Sequence, residues 1–413
     1  MSETGPAGGT TADLALGDVP DLASLPAEPE APIHQTLTVV SHPGTHARLL
    51  ACVTRRTYSY TPAGKLSLAD WQAPLTLDPV MSSTSIDALA TLEDDTDLSA
   101  PKEATDIVFR GTASSKKKTR EMFVAIALGK AARRLRVWGE RRAEVAPDGT
   151  VKFSQAEPFE RARLDPQSAY GGYDEAAQDR LDPPLQHNIY ILGHKPVGIF
   201  AYPRNSAGTG YFIDLDRPRA DGARLPRIED PSDSLTPERF FVPVPEAWLD
   251  APLPALLGWL PHSSYPRIVR YIGDRLPHLP PQRKIREIDL GCGDDLAEPK
   301  TLGQGEIHPR ALQGASPGLA RDRLRGDELG ILQSLDAEAE EVRFSLPGEA
   351  PRFALQVPDI KKVFSPRPVL QTVRIDGDRR EISLTWCATV PLLGRPQQDF
   401  LEQCELAVEW GRL

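Results

Sequence analysis

The sequence predicts a mainly β protein with a minor α+β component: antiparallel strands in β-sandwich-like sheets, long Pro/Gly-rich loops and few short helices. Three observations carry that expectation. Proline makes up 40 of 413 residues, about twice the usual share of roughly 5%, and each proline removes a backbone donor that a helix interior needs. Runs of β-branched and aromatic residues recur with partial period-two alternation. Asp148-Gly149 and Asp376-Gly377 stand between such runs, where tight hairpins favour that dipeptide.

Taken in order, residues 1–32 are rich in Gly, Ala, Pro, Asp and Glu and contain no aromatic residue. Too little apolar surface is available there to offset the entropy of ordering, so a disordered tail is expected. From Ile33, TLTVVSHPG and ARLLACVTRRTYSY read as strands, with TPAGK as the turn that follows. TDIVFRGTAS and EMFVAIALG are two further strands. The basic stretch between them puts Lys116, Lys117, Lys118 and Arg120 at a predicted hairpin tip, solvated or in salt-sensitive contact with an acidic partner. RRLRVWGERR alternates at Leu135 and Val137.

The middle of the chain, about 160–281, is aromatic and interrupted by Pro and Gly, so irregular packed loops and short strands are expected. ALLGWL (255–260) reads as one or two helical turns, and 397–403 as a short helix. Strands return in VRFSLPGEAPRFALQV, TVRIDGDRREISLTWCATVPL and ELAVEW. The predicted organisation is a β-rich main domain at 33–276, a Pro/Gly-rich linker or loop at 277–323, and a C-terminal β-rich segment at 324–413 packed on the main domain.

Composition narrows the function classes. A net charge of −10 argues against a general nucleic-acid binder, which displaces counterions with a basic surface. No apolar run approaches the roughly 20 residues of a membrane helix, and the N-terminus lacks the basic start and apolar core of a secretory peptide. Cys52, Cys292, Cys387 and Cys404 are scattered, as expected of reduced thiols in a cytoplasmic protein.

One stretch, REIDLGCGDD (286–295), imitates the strand-glycine turn of an S-adenosylmethionine-dependent methyltransferase through Gly291 and Gly293. The third glycine position holds Asp295. The helix that should follow is interrupted by Pro299, Gly303, Gly305 and Pro309, and hairpin signals replace the alternating βαβ units such a fold needs. A strand entering a glycine loop is the simpler reading.

The chain has no G-x-S-x-G elbow and no phosphate loop. His42 and His46 are separated by Pro43 and Gly44, which deny them a shared helix face; His187 and His194 flank a predicted strand. EDDTD (93–97) and DLDRPRAD (214–221) read as solvated charge runs. Tyr170, Tyr173, Tyr202, Tyr211, Phe212, Phe240, Phe241 and Trp248 crowd the centre, mostly as core. No catalytic, metal or cofactor-binding set is assembled, and a non-enzymatic protein without a cofactor is expected.

Several stretches, in order, resemble a domain-of-unknown-function family encoded in type VI secretion loci beside VgrG spike and PAAR tip genes. The first runs from PKEATDIVFRGTAS to an aromatic-glycine-acid-arginine element at Trp138, Gly139, Glu140 and Arg141. EPFERARLDPQSAYGGYD follows, through Pro158, Phe159, Leu164, Ala169, Tyr170, Gly171 and Gly172. YPRNSAGTGYF is similar through Tyr202, Asn205, Gly208, Gly210 and Tyr211, and LPRIEDP through Leu225, Pro226, Ile228, Glu229, Asp230 and Pro231. VRFSLPG and the strand of Trp386 look like the closing elements. Ser206 stands where the family has proline, and 261–323 matches poorly.

The resemblance implies a cytoplasmic effector adaptor or chaperone that binds a type VI effector and helps load it onto the VgrG/PAAR spike. It implies no nucleic acid and no membrane insertion. The motif positions are structural or partner-binding. The alternatives are a methyltransferase, or a structural component or effector part that travels with the spike.

Overall fold

Strands from both ends of the chain share the largest sheet. The computed structural model describes residues 34–42, 47–82, 91–174, 190–192, 195–197, 202, 204–243, 250–261, 312–358, 363–392 and 399–413. The predicted tail and the Gly291 turn lie outside them. β1 (Gln35–Ser41) pairs with β2 (Arg48–Tyr60), whose far end also holds β3 (Leu66–Leu68). A small flap is made by β4 (Val80–Met81) and β5 (Leu92–Asp94). β6 (Asp106–Arg110) closes the main sheet, which runs β1-β2-β25-β24-β6, with β24 (Val369–Asp376) parallel to β6 and β25 (Glu381–Pro391) antiparallel to β2. Ile33–Leu413 forms one compact unit.

A second sheet has five strands, in the order β18-β9-β8-β20-β21. It contains β8 (Glu121–Leu128), β9 (Ala131–Trp138), β18 (Ile228–Glu229), β20 (Leu329–Gln333) and β21 (Glu341–Ser345). β7 (Thr112–Thr119) pairs instead with β12 (Phe159–Arg163). The Asp148-Gly149 turn joins β10 (Ala143–Val145) to β11 (Val151–Phe153) as an antiparallel hairpin. Short pairs follow: β13 (Tyr170–Gly171) with β16 (Thr209–Gly210), β14 (Tyr190–Leu192) with β15 (Lys195–Val197), and β17 (Phe212–Ile213) with β19 (Phe241–Val242). A third sheet carries β22 (Glu349–Gln356) between β23 (Val363–Phe364) and β26 (Glu405–Arg412).

The pattern of β2 explains its place. A strand covered on both faces needs apolar residues at consecutive positions rather than alternate ones. Leu50 and Cys52 pack with Phe353 and Leu355 of the third sheet, while Ala51 and Val53 pack with Leu75 and Leu312 on the opposite face. The largest core lies between the first two sheets, where Ile107, Ile375 and Leu384 share a cluster with Val124, Ile126 and Leu332. β8 alternates buried and half-buried residues, so its other face is left toward solvent. The fold is mainly β, with several antiparallel sheets and short 3-10 turns as the helical content among the described residues.

Three local expectations are corrected. Residues 255–260 are not helical: Phe109 N donates to Leu257 O, and Trp259 bridges Ala315, so the run lies along the edge of β6. Burial of Leu256, Leu257, Trp259 and Leu260 makes a continuous apolar run that periodicity cannot assign. Residues 399–403 form turns instead of a helix. Lys116–Lys118 are not a hairpin tip. They lie inside β7, where Arg161 faces Ser114 and Phe159 faces Thr119, so the register shift pushes the exposed lysines out of the ladder.

A buried carboxylate fastens this frame. Asp106, on β6, accepts hydrogen bonds from Lys102 Nζ at 2.6 Å, Gly314 N at 3.0 Å, Gln313 Nε2 at 3.1 Å and Ala315 N at 3.2 Å. Burial alone would raise its pKa, but the Lys102 ammonium and these donors outweigh burial and hold it below the usual range. Asp106→Asn removes the counter-ion of a buried ammonium, a loss worth about 3–5 kcal/mol, which urea unfolding at neutral pH will show. Because the folded pKa is depressed, this contribution is complete above the unfolded value of about 3.9 and is lost as pH falls through the folded one. The stability gap between the two proteins therefore closes in acid.

Candidate functional site

Two features compete for functional attention: the cluster formed by the sequence motifs and a cleft that no motif marks. The cluster begins at Asn205. Its Nδ2 donates to Pro166 O at 2.7 Å and Tyr170 O at 3.1 Å, and its backbone carbonyl accepts from Gly172 N at 2.9 Å and Gly208 N at 3.2 Å. This draws the SAYGGYD and NSAGTG loops into contact, with Gly171 opposite Gly210 in a parallel pair. Gly171 has φ of +152°, and a Cβ there would stand 2.0 Å from Asn205 O. Only glycine fits such a position without moving backbone. Tyr170, Tyr202 and Tyr211 are buried beside it, with ring centroids 5.2 and 5.6 Å apart. Burial raises the hydroxyls of Tyr170 and Tyr202 above their ordinary range, and Tyr202 Oη donates to Pro252 O at 2.8 Å.

The Trp138 and Glu229 motifs meet next to this cluster. Glu229 accepts from Arg141 Nη2 at 2.6 Å and Trp138 Nε1 at 3.0 Å, and the Arg141 guanidinium lies 4.3 Å from the Trp138 ring centroid. Gly139 lets the chain pass Glu157, whose carbonyl would be 1.7 Å from an added Cβ. Asp230 caps Ser232 N at 2.9 Å ahead of the exposed turn at Pro231. Phe159 is half-buried under Arg227, 5.5 Å away. Trp386 stands apart, buried in the main core. The structure thus gathers most of the motif residues into one packed assembly, tied by hydrogen bonds from Asn205, Arg141 and Trp138.

The cleft, of about 740 Å³, opens between the flap, the edge of β6, residues 163–167 and the 374–383 hairpin. Its floor holds Arg55, Arg374 and Asp94, with Asp97 buried behind them. Arg55 pairs with Asp97, while Arg374 lies 2.8 Å from both Asp94 and Asp97. Both guanidiniums also reach Thr385 Oγ1, at 3.2 and 3.0 Å, and Asp94 accepts from Trp259 Nε1 at 2.9 Å and Thr76 Oγ1 at 2.7 Å. Burial works against the Asp94 charge, but Arg374 and Arg55 hold its carboxyl below the normal range. Burial and the neighbouring Arg374 push Arg55 down to about 10, so it stays cationic at neutral pH. Asp94 and the two guanidiniums are held in their charged forms, whereas general acid–base chemistry wants a pKa near the working pH.

The lip of the cleft is different. Trp71, Leu77 and Val80 line it as exposed side chains, with exposed Leu68 and Met81 close by in the chain. Arg110, Arg163 and Arg379 stand on the same rim.

Sequence reasoning missed this site. EDDTD was expected to be solvated, yet Asp95 and Asp97 are buried and Asp94 ties the floor; the partners lie 42 and 280 residues away, beyond any local signal. In DLDRPRAD the expectation holds for the exposed Asp214–Arg217 pair, whereas Asp221 also accepts from Val145 N. His42 N closes the β1–β2 hairpin onto Ala47 O, and His46, His187, His194 and Trp248 lie outside the described residues. Among the described residues there is no group of His, Cys, Asp and Glu that could hold a metal ion, and no helix is long and apolar enough to cross a membrane.

Comparison with known families decides the classification. The model described as "Uncharacterized protein conserved in bacteria (DUF2169)" matches residues 45–387. The chain belongs to this family. The match covers the motif assembly and the cleft. Comparison with curated proteins returns no match, nor does comparison with solved structures.

The close approach at Gly171 sets a measurable expectation. Gly171→Ala must displace the Asn205 backbone and destabilises the protein by more than about 3 kcal/mol in urea unfolding. Gly222 also has positive φ (+77°) but nothing within 4 Å of an added Cβ, so Gly222→Ala costs only the strain of about 1–2 kcal/mol.

Proposed function

We propose that this DUF2169 protein is a cytoplasmic, non-enzymatic adaptor that binds a type VI secretion effector and helps load it onto the VgrG/PAAR spike. The observation that carries the reading is the contrast within the cleft. Its ionic floor is sealed by mutual pairing, while large apolar side chains stand exposed along its lip. Exposed apolar surface gathered at one place is characteristic of protein interaction sites, and a floor of fixed ion pairs offers rigidity without a titrating group. The ordered motifs that resemble the secretion-associated family support the choice of partner. Their buried placement supports a scaffolding role for Tyr170, Tyr202 and Glu229, which leaves recognition to other residues.

A tagged copy purified from its native host, with co-purifying proteins identified by mass spectrometry, tests the reading. A spike protein and a toxin are expected together, and the tagged protein is expected to remain in the cell fraction. Recovery of neither partner would overturn the proposal. Appearance of the chain in the secreted fraction would favour a component that travels with the spike.

A further inference from the structure

We infer that the cleft receives an extended peptide segment of the partner in which apolar anchor side chains alternate with carboxylates. The inference rests on the adaptor reading for the existence of a partner, and goes beyond it by naming the chemistry of the bound segment.

The apolar half of the argument is the lip. Trp71 is 50% exposed, Val80 45% and Leu77 37%, and all three line the cleft. Tryptophan and arginine dominate the energetics of protein interfaces when they sit beside a pocket. Here they are combined, because the Arg379 guanidinium lies 4.7 Å from the Trp71 ring centroid. That stacking orders the tryptophan before any partner arrives, which lowers the entropy lost on binding. Val80 belongs to β4, which has β5 as its one strand partner among the described residues. An extended peptide can add along such a short strand while alternate side chains turn toward the cleft.

The charged half comes from the rim. Two of the arginines are paired loosely, Arg110 with Glu93 at 3.9 Å and Arg163 with Asp165 at 3.7 Å, whereas Arg379 holds Glu381 at 3.1 Å. The first two separations exceed hydrogen-bond distance. Each guanidinium side chain is more exposed than the carboxylate beside it, at 59, 60 and 53% against 39, 27 and 18%. A guanidinium has five N–H donors in a planar fork that matches an incoming carboxylate. The floor arginines, Arg55 and Arg374, are saturated and hold the shape instead. The rim carboxylates also decide between ligands. A continuous row of phosphates would meet Asp78, Glu93, Asp165, Asp376 and Glu381 as well as the arginines. A segment with spaced carboxylates meets arginine and apolar lip in turn.

Fluorescence anisotropy of a labelled, capped peptide alternating aspartate and leucine, titrated with the full chain, tests this. The comparators are the same peptide with lysine for aspartate and with serine for leucine. The aspartate–leucine peptide is expected to bind more tightly than either comparator. Trp71→Ala and Arg379→Glu are each expected to weaken it about tenfold or more, and Arg379→Glu to improve the lysine peptide. Both side chains are exposed, and circular dichroism of the variants checks that the fold is kept. Equal binding of the lysine peptide, binding unchanged in both variants, or no binding of the aspartate–leucine peptide overturns the inference. Repeating the host purification with Arg379→Glu separates the two proposals. Partners captured equally by wild type and variant leave the adaptor standing and remove the cleft. Partners captured by neither, with the peptide still bound, remove the adaptor and leave the cleft's specificity.

Discussion

The charge cluster of Arg55, Arg374, Asp94 and Asp97 is the constraint on which the cleft depends. Arg55 comes from β2 and Arg374 from β24, two strands of the main sheet separated by β25. Asp94 ends the flap strand β5, and Asp97 lies just beyond it. Burying such charges costs several kcal/mol per ion, and the cost is recovered only when geometry and remaining hydrogen bonds are complete. Thr76, Thr385 and Trp259 supply hydrogen bonds of this kind here. The result is directional: the flap can sit on the sheet in one way that leaves neither guanidinium unpaired. Apolar contact alone would tolerate sliding, because it has no preferred angle. The cluster therefore converts a short, weakly paired flap into one wall of a cleft of defined shape.

A second fastening acts at the start of β6. Asp106 draws Lys102 and residues 313–315 into a buried knot, and Trp259 lies between the two systems, with its ring facing Lys102 and its N–H on Asp94. The irregular segment 255–260 is anchored by charge at Trp259, although it has no regular ladder of its own. Much of this protein is built in the same manner. Pro- and Gly-rich loops satisfy their backbone groups through side chains such as Asn205, Asp174 and Asp233. A chain poor in helices has few other ways to bury polypeptide without leaving donors and acceptors unpaired.

That construction explains which parts were legible in the sequence. β2, β8, β9 and β25 were legible because burial on one face or two writes itself into neighbouring residues. Asp148-Gly149 and Asp376-Gly377 were legible because a tight turn selects residues locally. The Lys116–Lys118 run was misplaced because a register shift between β7 and β12 depends on a strand some forty residues later. EDDTD looked like any solvated acidic run. Its burial is decided by arginines on β2 and β24, which local composition does not contain. The cleft was invisible for the same reason: Trp71, Arg163 and Arg379 come from three distant segments and acquire a common role only when the sheets close.

The motif assembly and the cleft divide the labour of the chain. Asn205, Gly171, Tyr202 and Glu229 are buried and committed to partners within the fold, so substituting them changes whether the protein stands, not what it touches. Trp71, Leu77, Val80, Arg163 and Arg379 are outside the recognisable motif positions, exposed, and free to vary without disturbing a core. A family that shared the first set and varied the second would keep one architecture while addressing different partners. On the proposed reading, recognition belongs to the lip, and the ordered motifs build the scaffold that holds the lip in place.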